Sequence, residues 1–211
     1  MQHLLTESRF SDCYPVFCGG DDVFVVGPWD VITSLAGRIR EDYRVFTAYN
    51  PDMTLSAGVL IAESHYPVCQ AAKEVEKALG QAKEGGRDRI SILGAVLTWQ
   101  DWGEVYREWE RLHGILQGEQ APSALLHRLL RYGQMWRAYR DGRNPLGLRA
   151  QPLLAYYTAR TIDPRHQPQL SRCVEGLVAV KPLDNRQKFL LDHLSLLAQL
   201  LILSKEGGEG R

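Results

Sequence analysis

The residues best equipped for chemistry form one run near the amino terminus, Gly19-Gly20-Asp21-Asp22. Two adjacent carboxylates repel each other, and a divalent cation relieves that repulsion. Mg²⁺ prefers oxygen ligands and is usually held by one or two carboxylates together with substrate phosphates. The two glycines have no side chain, so a triphosphate could approach the backbone closely. The run therefore predicts metal-assisted nucleotidyl transfer, with an ordinary turn rich in Gly and Asp as the plain alternative.

The neighbouring sequence predicts the elements that position this run. Short apolar runs at 14–18 and 23–26 flank the tetrad, which is typical of a β-hairpin with the acidic pair at its tip. Gly27-Pro28 ends the second strand, and a helix with one apolar face follows from about Trp29. The remaining predicted elements of this module are a strand over 53–62, a helix from Pro67 to Gly85, and a strand over 89–97.

From residue 101 onward, only helical periodicity is present. The sequence therefore predicts an α+β fold, with a domain over 1–100 followed by an all-α domain over 101–205. The glycine-rich end, 206–211, is predicted to be a disordered tail. The predicted helices of the second domain cover 102–116, 123–140, 150–162, 169–178 and 185–204.

The charge balance separates the same two regions. The 211 residues contain 25 Lys+Arg and 25 Asp+Glu, so the formal net charge is zero. Residues 1–100 hold 9 basic and 13 acidic side chains, a net of −4, which leaves +4 for residues 101–211. The first residues lack a basic region followed by an apolar run, so they are not expected to be a signal peptide. The most apolar stretch, 189–203, is interrupted by polar residues. These features predict a cytoplasmic protein that does not enter a membrane.

The stretch from Val16 to Asp30 resembles the palm core of the large subunit of type III-A (Csm) CRISPR effector complexes. That family is related to the GGDEF diguanylate cyclases and to polymerase palms. Gly27-Pro28-Trp29-Asp30 favours the CRISPR branch, as does Asp22 where the cyclases have Glu-Phe. Leu55-Ser56-Ala57-Gly58 and the segment 82–89 resemble two further palm motifs. The resemblance implies a partial ferredoxin-like palm of the GGDEF/nucleotidyl-cyclase type, followed by an all-α helical bundle.

In that family the palm converts ATP to cyclic oligoadenylates when the complex binds target RNA. The resemblance implies that Asp21 and Asp22 hold Mg²⁺ or Mn²⁺ and are the catalytic pair. The implied nucleotide-binding residues are Gly19, Gly20, Ser56, Lys83 and Arg87. For Lys83 and Arg87 the plain alternative is a solvated helix end whose cations offset the helix dipole.

Palms of this kind begin with a strand and a helix before the hairpin, and this sequence contains neither. We therefore expect an N-terminal half of the large subunit to complete both the fold and the site. The other partners implied are the repeat-end-binding subunit, the small helical subunit, the guide RNA and the target RNA.

The second module carries a concentration of arginine. Residues 120–175 contain nine Arg and no Lys, interleaved with Tyr and Trp. Such a pattern suits RNA backbone contacts and base stacking, with an acidic subunit or a merely solvated surface as alternatives. The arginines predicted to contact RNA are Arg128, Arg131, Arg137 and Arg140.

Two other functions stay open at the level of sequence. The first is a GGDEF-type diguanylate cyclase that uses GTP, against which the missing Glu-Phe and the appended helical domain count. The second is a non-catalytic module that binds RNA or protein and retains a vestigial palm.

Overall fold

A computed structural model describes residues 7–63, 65–119, 122–178 and 184–208. The chain divides into two compact units, Met1–Gly103 and Glu104–Arg211. The first unit contains β1 (Tyr14–Gly19), β2 (Asp22–Val26), α1 (Trp29–Phe46), β3 (Ala57–Val59), α2 (Val68–Glu84), β4 (Arg89–Ile92) and β5 (Ala95–Thr98). Helix α3 (Trp99–Gly118) leads into α4 (Ser123–Arg140), α5 (Ala150–Thr161), α6 (Pro168–Val178) and α7 (Asn185–Gly208). The predicted α+β fold class is confirmed.

Strands β1 and β2 form the predicted antiparallel hairpin, in which Gly19 pairs with Asp22. Gly20 has a φ of 61°, whereas Asp21 has no positive φ. A positive φ at only the first central residue is typical of a type II′ turn, which favours glycine there. The register shifts between Pro15 and Phe17, so β1 carries a bulge at Val16.

Helix α1 holds the hairpin in place through a small apolar core. Phe10, Cys13 and Leu35 are buried together, and partly buried residues from β2 and α1 pack against them. Pro28 precedes the first helical residue, Trp29, where its fixed φ suits the entry to a helix. Burial, and then the nearby carboxylates of Asp12 and Asp30, raise the pKa of the Cys13 thiol. The base of the hairpin and α1 therefore form one packed body.

The second sheet has the order β3-β4-β5, with β3 parallel to β4 and β4 antiparallel to β5. Helix α2 lies so close to β3 that a Cβ on Gly58 would come within 2.6 Å of the Val75 carbonyl oxygen. The predicted strand over 53–62 shortens to Ala57–Val59, because only these residues pair with β4. The close approach makes glycine necessary at position 58.

The single strand predicted over 89–97 was wrong, because that segment is a hairpin. Leu93 and Gly94 have φ values of 50° and 72°, and Ile92 pairs with Ala95 across them. Two consecutive positive φ values are the signature of a type I′ turn. Leucine rarely adopts this conformation, so the residue types gave no turn signal.

Among the described residues, the two sheets share no hydrogen-bonded strand pair. A two-stranded hairpin by itself is only marginally stable in water. Large apolar side chains of the hairpin are exposed to solvent: Tyr14 is 70% and Phe17 is 56% exposed. The first unit thus has the parts of a palm, with open strand edges and uncovered apolar surface.

The second unit is helical, and α4 and α7 meet closely within it. A Cβ on Gly133 would lie 2.4 Å from the backbone nitrogen of Ser195. Trp136 Nε1 donates a hydrogen bond of 2.8 Å to Asp192, and Arg140 forms an ion pair with the same carboxylate. Buried leucines of both helices form much of the core around this crossing. Close packing and one shared carboxylate therefore fix α4 against α7.

The carboxyl-terminal helix is longer than predicted. Helix α7 ends at Gly208, so residues 206–208 of the predicted disordered tail continue the helix. Lys205 and Glu206 are good helix formers, which favours this extension until the glycine pair weakens it. Residues 209–211 lie outside the described part of the chain. No helix in the described ranges is long and apolar enough to cross a membrane.

Candidate functional site

The hairpin tip presents Asp21 and Asp22 to solvent, one in the turn and one at the start of β2. Within the described residues neither carboxylate has a hydrogen bond or an ion pair. Four carboxylate oxygens from consecutive residues are a donor set that suits a hard cation such as Mg²⁺ or Mn²⁺. Gly19 and Gly20 are exposed beside them. Nothing lies within 4 Å of a Cβ added at Gly20, whereas the Phe17 ring lies 3.1 Å from one added at Gly19, so the open backbone is at Gly20. The residues present therefore fit a divalent cation.

The carboxylate pair does not complete a metal site from this part of the chain. No group of three or more His, Cys, Asp or Glu side chains that could hold a metal occurs among the described residues. Magnesium demands octahedral coordination and often takes the remaining ligands from water and substrate phosphates. Phosphate oxygens or a further protein segment would have to supply the rest.

Lys83 and Arg87 lie where α2 ends and turns toward β4. The backbone amides of Gly85 and Arg87 bond to carbonyls of the last helical turn, at Gln81 and Lys83. The chain then passes through three residues of positive φ, Gly86 at 120°, Arg87 at 59° and Asp88 at 44°. The side chains of Lys83 and Arg87 are exposed and have no hydrogen bond or ion pair within the described residues. Both cations are therefore available to an anion.

Ser56 lies directly before β3, half-buried. Because Ala57 pairs with Ile90 in the parallel register, Ser56 falls beside Arg89 at the amino end of the sheet. The Trp99 indole nitrogen donates a 2.8 Å hydrogen bond to the Leu55 carbonyl and fixes the segment before Ser56. The structure thus brings Ser56 to the same sheet edge as the loop after α2.

The hairpin tip and this loop make no hydrogen bond or ion pair with each other in the described residues. Helix α1, which packs against the hairpin, is joined to the loop by an ion pair between Arg40 and Asp88. Sequence reasoning missed it, because the two residues are 48 positions apart and neither belongs to a local motif. The signal in the sequence that could have revealed the pair is Asp88 itself, a carboxylate that directly follows Arg87 and lies five residues after Lys83.

The four arginines predicted to contact RNA are in different surroundings on α4. Arg128 lies with its guanidinium carbon 4.8 Å from the centroid of the Tyr157 ring. Arg131 is exposed, and Arg137 is half-buried. Arg140 is paired with Asp192, so part of its role is structural. Contact with RNA stays a prediction for all four.

A second arginine–tyrosine pair, on α5, was not singled out from the sequence. The guanidinium of Arg160 lies 5.4 Å from the ring centroid of Tyr156 and bonds to its hydroxyl. Tyr156 is 60% exposed, and Leu153 lies three residues before it on the same helix face. Their spacing, three and then four residues, is the signal that could have revealed this face.

The nearby acidic side chains of this unit are already engaged. Asp141 forms an ion pair with Arg143. The backbone amide of Arg165 and the ring of His166 lower the pKa of the Asp163 carboxyl. These local contacts leave the exposed arginines of α4 and α5 as a net positive surface.

The sequence of this chain is similar to one known protein family and to several characterised proteins. Residues 2–91 match the family described as Cas10/Cmr2, second palm domain. A Cas10/Csm1 single-strand-specific deoxyribonuclease of CRISPR subtype III-A from Methanocaldococcus jannaschii is 31% identical over 125 residues. That alignment covers 52% of this chain and 16% of the relative. The Thermococcus onnurineus protein of the same description is 30% identical over 164 residues, covering 71% of this chain and 20% of the relative.

Solved structures agree with the sequence relatives. A crystal structure of a Csm1–Csm4 cassette in complex with one ATP covers 90% of this chain and 26% of its own, at 25% identity and a TM-score of 0.62. A Csm1–Csm4 cassette in complex with cA3 has the same fold, at 24% identity and a TM-score of 0.61 over 90% of this chain.

The fold and the acidic hairpin thus define a palm of the Cas10 type with an appended helical unit. Beyond that palm domain, the chain is similar to Cas10/Csm1 proteins of CRISPR subtype III-A. It spans about a fifth or less of the length of the two relatives described above.

Proposed function

We propose that this chain carries the nucleotidyl-transfer palm of a type III-A effector and helps convert ATP to cyclic oligoadenylate when target RNA is bound. The observation that supports it most directly is the exposed pair Asp21 and Asp22, which has no partner among the described residues, at a type II′ turn in a Cas10-type palm. A similar structure is known with one ATP bound. The proposal places this chain in antiviral defence.

The chemistry assigned to the site is phosphoryl transfer. A ribose 3′-hydroxyl attacks the α-phosphorus of a neighbouring ATP, the P–O bond to the β-phosphate breaks, and pyrophosphate leaves. A divalent cation bound at the carboxylates would favour the deprotonated hydroxyl and neutralise charge on the phosphates. Asp21 and Asp22 hold that cation, and Gly19 and Gly20 admit the phosphates to the turn.

The loop after α2 supplies the positive charge for the triphosphate. Lys83 and Arg87 are exposed and unpaired in the described residues, so they contact phosphate oxygens without breaking a native ion pair. Ser56 lies at the same sheet edge and hydrogen-bonds the nucleotide. These roles assume that the hairpin tip and the loop face one nucleotide from two sides.

A further segment of the large subunit completes this palm. The uncovered apolar side chains of the hairpin and the open strand edges fit a strand and a helix supplied by an N-terminal half. The proposed cytoplasmic assembly also includes the repeat-end-binding subunit, the small helical subunit, the guide RNA and the target RNA. A Csm1–Csm4 cassette among the similar structures supports assembly with other effector subunits.

The deciding experiment combines this chain with its N-terminal half, the other effector subunits, guide RNA, target RNA and Mg²⁺ or Mn²⁺. ATP or GTP is then added, and the products are separated by chromatography and identified by mass. Cyclic oligoadenylate that requires target RNA is the expected result. Cyclic diguanylate would instead establish the diguanylate cyclase, and RNA binding without turnover would establish a vestigial palm.

RNA contact by the helical unit is a second proposal, and the Tyr156–Arg160 pair favours it. An exposed ring with a guanidinium against it offers a surface on which an unpaired base can stack. Tyr156→Ala is expected to weaken binding of a single-stranded RNA by roughly 1–3 kcal/mol, the usual contribution of one stacked base. Fluorescence anisotropy with a labelled oligonucleotide and the full chain measures this loss.

The matched control is Arg143→Ala. Arg143 is also exposed on this unit, but it is already neutralised by Asp141. Its removal should change RNA affinity much less than removal of Tyr156. A loss for Arg143→Ala with none for Tyr156→Ala would contradict base stacking and show that RNA binding depends only on the total charge of the unit.

A further inference from the structure

We propose that the ion pair between Arg40 and Asp88 is a positioning contact that holds the phosphate-binding loop in register with the metal-binding hairpin. The inference rests on the proposed nucleotidyl-transfer function and adds two residues to it. Neither residue need touch the nucleotide. Arg40 acts through α1 and Asp88 through the loop that carries Arg87.

The geometry of the pair is that of a two-pronged contact. Arg40 Nη2 lies 3.1 Å from Asp88 Oδ2, and Arg40 Nε lies 3.4 Å from Oδ1. The Arg40 side chain is 19% exposed and the Asp88 side chain 41%, so solvent screens the arginine end of the pair less than it would in open solvent. The planar guanidinium therefore fixes the direction of the carboxylate as well as its distance.

The loop needs such a restraint because its backbone is strained. Gly86, Arg87 and Asp88 follow one another with positive φ, although only the first is a glycine. Each non-glycine residue in this region costs roughly 1–2 kcal/mol and persists where the surroundings hold it. The Arg87 amide is bonded to the end of α2, and the Asp88 side chain is bonded to α1. Arg87 is thus held at its own amide and through the residue that follows it.

The other end of the contact belongs to the body that carries the hairpin. Helix α1 begins three residues after β2 ends, and its Leu35 is buried in one core with Phe10 and Cys13. The two sheets share no strand pairing in the described residues, so their relative placement rests on side-chain contacts. An ion pair from α1 to the loop spans that gap.

Arg40 also reaches the third part of the site. Its guanidinium carbon lies 6.0 Å from the Trp99 ring centroid, and Trp99 donates to the Leu55 carbonyl next to Ser56. One side chain thus connects the supports of the hairpin, of Arg87 and of Ser56. Through these contacts Arg40 helps to position the hairpin, Arg87 and Ser56 relative to one another.

An exposed ion pair on a helix contributes little, and α1 provides such a pair as a matched control. Arg38 Nε lies 2.9 Å from Asp42 on the same helix, and both side chains are more than 40% exposed. That pair lies within α1, and the further ion pair of Arg38 with Glu7, at 3.6 Å, reaches the segment before β1 and not the loop after α2. Arg38→Ala removes the same charge two residues away without touching the loop.

The test uses the complete effector with target RNA, Mg²⁺ and varied ATP. Arg40→Ala and Asp88→Asn are each expected to raise the KM for ATP roughly tenfold, with a smaller change in kcat and an unchanged Mg²⁺ dependence. The double variant should be no worse than either single variant, because both remove one contact. The reversed pair Arg40→Asp with Asp88→Arg should recover part of the loss. Arg38→Ala should match the wild type.

Three results would overturn the inference: an unchanged KM for Arg40→Ala, an equal rise in KM for Arg38→Ala, and an additive loss in the double variant. Thermal unfolding of each variant identifies a fold defect, and recovery by the reversed pair excludes one. The proposed function is tested separately by Lys83→Ala: if it leaves ATP turnover unchanged, the phosphate-binding loop is wrongly assigned. A loss with Lys83→Ala but none with Arg40→Ala contradicts only the positioning contact.

Discussion

Replacing Asp21 and Asp22 together by asparagine is expected to abolish cyclic oligoadenylate synthesis by the assembled effector. Asparagine keeps the size and the turn preference of aspartate, but removes both negative charges that hold the cation. Loss of several kcal/mol of transition-state stabilisation corresponds to a decrease of about 10³-fold or more in kcat. Product formation from ATP, quantified by mass spectrometry, measures the effect.

The structural cost of this double change should be small. Both side chains are exposed and have no partner among the described residues, so thermal stability should stay within about 0.5 kcal/mol of the wild type. Asp52→Asn, which removes another exposed carboxylate of the same unit, is the control and should leave activity intact. Retained activity in the double variant would refute the assignment of the catalytic pair.

Two glycine-to-alanine changes in the palm are expected to have opposite effects on stability. An alanine Cβ at position 58 would lie 2.5 Å from the Leu79 backbone nitrogen, so α2 must move away from β3. Such overpacking typically destabilises by about 1–3 kcal/mol. Gly80 lies inside α2 with nothing within 4 Å of an added Cβ. Gly80→Ala should therefore stabilise by up to about 1 kcal/mol through helix propensity.

Hydrogen exchange read by mass spectrometry localises the effect to the peptides of β3 and α2. Gly58→Ala should speed exchange there, whereas Gly80→Ala should slow it. The helical unit, 104–211, should show wild-type protection in both variants. Equal protection of α2 in the two variants would contradict the close packing of this helix on β3.

Parts of the fold that depend on local chemistry could be predicted from the sequence. The tetrad between two apolar runs predicted the first hairpin. The predicted end of a helix at 140 agrees with α4, and Gly142, with a φ of 68°, lies just past that end. The turn at Leu93-Gly94 could not be predicted, because leucine seldom adopts positive φ and its conformation here depends on the β4–β5 pairing.

In the candidate site, too, the residues with a local sequence signal could be predicted and the contacts that depend on the tertiary fold could not. The carboxylate pair and the cations Lys83 and Arg87 are visible as residue types at recognisable spacing. The contact between Arg40 and Asp88 is not, because it depends on how α1 approaches the loop in three dimensions. Likewise, the partnership of Arg140 with Asp192 depends on the α4–α7 crossing, and no arginine count reveals it.

The bulge in β1 makes the two outer edges of the hairpin unequal as sites for a further strand. Pro15 lacks a backbone N–H, and the extra residue at Val16 bends the strand, so the outer edge of β1 cannot template a regular ladder. Strand β2 runs from Asp22 to Val26 with neither proline nor bulge, and its outer edge is flat by comparison. A further strand is therefore expected to pair with the outer edge of β2, the strand that begins with Asp22. Self-association through β1 is discouraged by the same two residues.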